Sequence, residues 1–162
     1  MRAWWIAASN PVIVGAFEAL AEHSAHVTSR HRPICVASGE CCQFARHGHD
    51  LFVTGLEAAL VTRRTGPMEP TRARRAWEQS VCAHLSGRSC AIHALRPLGC
   101  RTYFCDPRAT HWHAELAESV HQQVRELHDA HALPYLFAEW TWLAEAFSSA
   151  HARGLLSEAV EP

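Results

Sequence analysis

The sequence predicts a small, mainly α-helical domain with long irregular loops organised by a cysteine metal site. Three observations carry this expectation. Apolar residues recur at helical spacing along much of the chain. No alternating apolar–polar run exceeds a few residues. Six of the seven cysteines fall in two stretches, 29–50 and 85–110, that lack helical periodicity, and Cys82 stands at the border of the second.

The elements follow in chain order. Ile13, Phe17, Leu20 and Val27 share one helical face, which predicts an amphipathic helix over 12–28. Thr54 followed by Glu57 has the spacing of a capping box, and Leu56 and Leu60 behind it predict a short helix over 55–64. The stretch 64–70 reads as a loop. A weaker helix is expected over 71–84, opened by Thr71 after Pro70. Trp112, Leu116, Val120, Val124 and Leu127 recur at spacings of four and three and give the cleanest helical stripe. A second long stripe, Leu136, Trp140, Leu143 and Phe147, is expected to start a helix at Pro134. The last dozen residues add at most a short frayed helix.

A chain of 162 residues fits one domain, spanning 1–162, able to bury roughly 70% of its unfolded surface. Within it, 33–106 is the expected metal-binding core and 111–150 the C-terminal helical pair, which packs with the first helix around an irregular centre. Hydrophobic residues at 48% and charged residues at 19% describe an ordinary folded protein rather than a disordered tail. The net charge of −1 excludes the footprint expected of a nucleic-acid or anionic-membrane binder. All fifteen basic residues are Arg, which removes Schiff-base chemistry and the lysine of a phosphate loop.

The opening MRAWWIAASNPVIVGAF is apolar, yet Ser9-Asn10-Pro11 interrupts it and Glu18 and Glu22 follow. A span needs about 20 mostly apolar residues, and an export signal needs an uninterrupted apolar core. The expectation is therefore a cytoplasmic protein. The odd cysteine count and the adjacent pair Cys41–Cys42 argue the same way, against a disulfide framework.

The chemistry is concentrated in the cysteines. Cys35, Cys41 and Cys42 form one group; Cys82, Cys90, Cys100 and Cys105 form a second. Thiolates suit zinc and iron–sulfur centres because all are soft. Gly39 allows the positive φ that a tight ligand turn needs. Irregular backbone of this length is unusual in a compact domain unless something besides a core orders it. A structural metal does so, contributing ~10–16 kcal/mol in zinc-finger peptides. No CxxC, HExxH or GxGxxG motif is present.

Read together, Cys35-x-x-Ser38-Gly39-x-Cys41-Cys42, then Val53-Thr54-x-x-Glu57, then Cys82 and Cys90, then Arg96-Pro97-Leu98-Gly99-Cys100-Arg101-Thr102-Tyr103-Phe104-Cys105 resemble the YkgJ family of cysteine-cluster proteins. The match covers roughly 33–106, and its closing motif is the most specific part. The resemblance implies a zinc- or iron-chelating domain with the seven cysteines as ligands. Ser38 stands where the family pattern has cysteine; a hydroxyl is a far poorer ligand, so His47, His49, His84 or His93 is expected to fill that corner, or the position is open. A part of the resemblance reaches flagellin lysine N-methylases and tilts the balance from zinc toward an iron–sulfur centre.

Two function classes follow. One is a metal-binding protein whose centre is structural, or a carrier that chelates metal, passes electrons or binds a protein partner. The other is a metal-dependent enzyme acting on a protein or small-molecule substrate at an open coordination position. Arg96 and Arg101 either hold a substrate carboxylate and lower the thiolate pKa, or lock the metal loop through carboxylate or carbonyl contacts. Tyr103 either donates to a cysteine sulfur or sits half-buried in the core. The remaining histidines and the six tryptophans are expected mainly in satisfied, solvent-facing or core positions.

Overall fold

The computed structural model describes residues 1–35, 39–104, 106 and 109–156. Ser38 and Cys105, both named above, lie outside the described residues, as do the last six. The architecture is mainly helical. α1 (Arg2–Ala7) and α2 (Pro11–His31) lead into a one-turn helix at Glu40–Cys42 and the short α3 (Phe44–His47). Strand β1 (Phe52–Thr54), α4 (Gly55–Thr65) and α5 (Pro70–Glu78) come next. The hairpin β2 (Leu85–Ser86) and β3 (Ser89–Cys90) precedes a one-turn helix at His93–Leu95 and α6 (Leu98–Thr102). α7 (Thr110–Ala130), β4 (Phe137–Glu139) and α8 (Trp140–Ala152) complete the described chain.

Each long helix has a local cause. Asn10 caps α2 by accepting from the Val12 amide at 2.9 Å, Pro11 occupies its first turn, and Arg32 at φ 46 ends it. α2 therefore runs three residues beyond 28, while Ile13, Phe17 and Leu20 are buried as the stripe requires. The Thr54–Glu57 capping box is formed at the start of α4. α5 stops at Glu78 rather than continuing to 84, because Ser80 takes a positive φ of 50 and turns the chain toward Cys82.

The clearest departure lies after Pro134. Residues 137–139 are extended and pair antiparallel with β1, Phe52 opposite Glu139 and Thr54 opposite Phe137. α8 begins only at Trp140, with the Glu139 carboxylate accepting from the Thr141 and Trp142 amides. The stripe of Leu136, Trp140 and Leu143 is compatible with either conformation for its first residues; pairing to β1 decides it.

α8 packs on α4 and α5, whereas α7 packs on α2 and α6, so the last two long helices take different partners. Val53, Leu56, Leu143 and Phe147 are fully buried where α4, β1 and α8 meet. α1 closes this core through Trp4, whose indole donates to the Pro134 carbonyl at 2.6 Å. Gly55 is required beneath it, since a Cβ there would stand 2.6 Å from the Trp4 ring. No helix among the described residues is long and apolar enough to cross a membrane.

Candidate thiol site

Two irregular segments are pressed together by backbone contacts. The Cys82 amide donates to the Cys42 carbonyl at 2.8 Å, and the Ala45 amide donates to the Ser80 carbonyl at 3.0 Å. Gly39 (φ 70) lies against the β2–β3 hairpin so closely that a Cβ would meet Leu85 Cδ1 at 2.7 Å and the Arg88 backbone at 3.1 Å. Both the turn and the approach exclude a side chain here. In that hairpin Leu85 faces Cys90, which brings the third cysteine beside the first two.

The sulfur of buried Cys42 is the hub. Cys41, Cys82 and Cys90 each act on its thiol. One S–H proton serves one acceptor at a time, so the neighbours compete for it. Each neighbour is lowered when it is the one that Cys42 serves, Cys41 to about 7, Cys90 to about 6, and Cys82 in the same direction. Cys42 itself is pushed well above the usual thiol range by giving that hydrogen bond. Further donors address the sulfurs. The His84 amide and the Trp140 side chain serve Cys82, and the Ile92 amide serves Cys90. Such N–H···S bonds favour thiolate over thiol.

Cys100 enters from α6. Burial raises its thiol well above the ordinary value, and repulsion from Cys82, Cys41, Glu57 and Cys90 adds to that. Five of the seven cysteines thus act on one another. Cys35 is exposed in the segment leaving α2. That segment is tied to the one following α6, because the Ile34 amide donates to the Asp106 carboxylate at 2.9 Å.

The other candidates have separate roles. His47 is bonded to Glu40 at 2.5 Å, and His49 Nε2 faces the Cys41 carbonyl at 3.2 Å. His84 stacks on Trp140, and burial lowers its pKa to about 4. The ring of His93 is engaged by the Arg96 guanidinium. Arg101 donates to the Ala94 carbonyl at 2.6 Å and the Arg96 carbonyl at 3.2 Å, which is the loop-locking role. Arg96 acts otherwise, its charge lowering the thiols of Cys41 and Cys90. Tyr103 stacks on His49 at 4.8 Å and meets His113 edge-on.

Glu57 exceeds its reading as a helix cap. Its carboxylate accepts from the Thr54, Leu98 and Gly99 amides, joining the start of α4 to the start of α6, just ahead of Cys100. Burial raises its pKa to about 7 in spite of those donors. The capping-box spacing located this residue, but the second partner lies forty-one positions away and leaves no local signal.

Among the described residues no group of three or more His, Cys, Asp or Glu side chains is arranged around a point suited to a metal ion. Compared with family models, curated proteins and solved structures, the chain matches none.

Proposed function

We propose that the protein is a metal-binding protein of the YkgJ type, holding zinc or an iron–sulfur centre through Cys41, Cys42, Cys82 and Cys90, with Cys100 adjoining. The observation that carries this reading is that backbone contacts bring Cys42, Cys82 and Cys90 together, the Cys82 amide on the Cys42 carbonyl and Cys90 opposite Leu85, with the thiols of Cys41, Cys42, Cys82 and Cys90 acting on one another. A cluster of that kind is electrostatically poor without a cation. Each thiolate raises the cost of the next, as Cys100 shows. A soft cation reverses the sign of that interaction and deprotonates the ligands outright.

The donor set fits such a group chemically: several thiolates, no hard-oxygen cage, and N–H donors already aimed at sulfur. Gathering the sulfurs onto one ion requires side-chain rotation about Cα–Cβ, with the backbone already juxtaposed. When bound, the metal would supply a cross-link between the two chain segments. The residues of this chain do the rest. Arg96 offsets thiolate charge, Arg101 fixes the 94–101 loop, and the Trp140 side chain favours the Cys82 thiolate by hydrogen bonding. A cytoplasmic setting, where thiols stay reduced, belongs to the same proposal.

The test is anaerobic purification after growth with zinc or iron, followed by metal analysis and absorption spectroscopy. A stoichiometric metal in the parent and its loss in Cys42→Ser, but not in a surface control such as Arg153→Ala, is the expected result. A folded parent that retains no metal, and whose thiol reactivity does not change on adding zinc or ferrous ion, would refute it.

A further inference from the structure

Beside the thiol cluster lies a second site, built from arginines. A narrow cavity of about 30 Å³ opens between α2, α4 and the 95–101 loop, lined by Arg64, Arg96, Arg101 and Glu57 together with Phe17 and Leu95. Three arginines and one carboxylate contribute to its lining, and of the three Arg101 is the one whose charge acts on Glu57. That carboxylate does not neutralise them, because it is taken up by the Thr54, Leu98 and Gly99 amides. Arg64 reaches Glu18 at 2.7 Å, but this pair is exposed and correspondingly weak. Arg101 is anchored on two carbonyls and has no freedom to swing away from Arg96.

An independent observation points to a ligand. The Nε of Arg96 is buried and has no hydrogen-bond partner among the described residues. Its Nη1 is already engaged by the His93 ring and the His93 carbonyl. A buried charged donor without an acceptor is costly, more so than a neutral one. The missing partner is an acceptor, and the surplus of positive charge specifies a negative one.

We propose that this cavity seats the terminal oxyanion of a small carboxylate- or phosphate-bearing ligand, with Arg96 Nε–H as its principal donor and Arg64 closing over it from α4. The volume admits one oxygen-sized group, so an end of the ligand enters and its body remains in the mouth. Arginine suits this task, since its planar fork matches both anions. The site adjoins Cys41 and Cys90, whose thiols feel the Arg96 charge, and does not depend on a metal being bound there.

The experiment uses the whole chain as purified, with its metal content measured on the same sample. Inorganic phosphate and acetate are titrated at constant ionic strength while arginine Nε–H resonances are followed by NMR, the Arg96 signal being assigned by its absence in Arg96→Lys. The expected result is a saturable shift of that signal with at least one anion. Affinity, read in parent and variants alike from the neighbouring Arg101 Nε–H signal, should fall about tenfold or more in Arg96→Lys, and less in Arg64→Gln. Saturation with phosphate alone assigns a phosphate-bearing ligand, and with acetate alone a carboxylate. A linear shift with both, matched by chloride, means an adventitious ion only and overturns the proposal. Equal affinity in Arg96→Lys overturns it too. If Arg96→Lys does not fold, the parent titration compared with Arg64→Gln decides, and equal affinity there removes the assigned site.

Discussion

The α4–β1–α8 core and the cysteine region solve the same problem by different means. In the first, β-branched, aliphatic and aromatic side chains with no polar obligations, such as Val53, Leu56, Leu143 and Phe147, are fully buried and need nothing further. In the second, residues 39–48 and 82–104 fold as single turns and a two-residue hairpin, pinned by Gly39 and by amides that serve sulfur. The first region is held by burial of apolar area, at roughly 25 cal/mol per Å². The second buries thiols that repel once ionised. One region is complete by itself, and in the other the proposed metal would offset the repulsion between thiolates.

The largest expected effect breaks that contrast directly. On the proposed metal-binding reading, a chelator under reducing conditions should lower the melting temperature on the order of 10 °C or more. Hydrogen exchange should accelerate in 39–48 and 82–104 while α2, α7 and α8 stay protected. Uniform acceleration through the whole chain would show that the two regions are not distinct. Phe147→Ala tests the other side, with an expected cost of about 3–5 kcal/mol in urea unfolding and no change in metal stoichiometry of the folded fraction.

Glu57 belongs to both regions, and pH reads its contribution. Its folded pKa of about 7 lies above the ordinary 4.5, so between those values the folded state holds more protons than the unfolded one. Stability therefore falls as pH rises from about 4.5 to 7, by about 3 kcal/mol in total from this group. His84, lowered to about 4, acts in the opposite sense up to its ordinary value of 6.5. Comparing the parent with Glu57→Gln at pH 5 and pH 7.5 cancels that contribution. The variant should gain relative to the parent at the higher pH, and parallel profiles would remove Glu57 as a titrating link.

The smallest effect sharpens the comparison. Gly39→Ala introduces both a strained φ and a Cβ against Leu85, for about 1–3 kcal/mol. Its expected signature is weaker metal retention with α7 and α8 unaffected, read by chelator competition and circular dichroism.

How legible all this was depended on the range of the interaction concerned. The helices around Ile13–Leu20, Leu56–Leu60 and Leu116–Leu127 were visible because the apolar period of an α-helix is written in adjacent turns. The Thr54–Glu57 cap and the Gly39 turn were visible for the same reason. The strand at Phe137–Glu139 was not, since its partner is Phe52–Thr54 and pairing across such a distance has no local pattern.

From its order of residues alone, the chain determined a helical domain, the turn at Gly39 and a supply of thiols, because those rest on periodicity, backbone freedom and composition. Only the tertiary structure decided that Cys42 is the hub, that Glu57 joins α4 to α6, and that three arginines crowd one cavity. These are contacts between groups far apart in sequence. Their energies arise from burial and charge that exist only once the chain has closed upon itself.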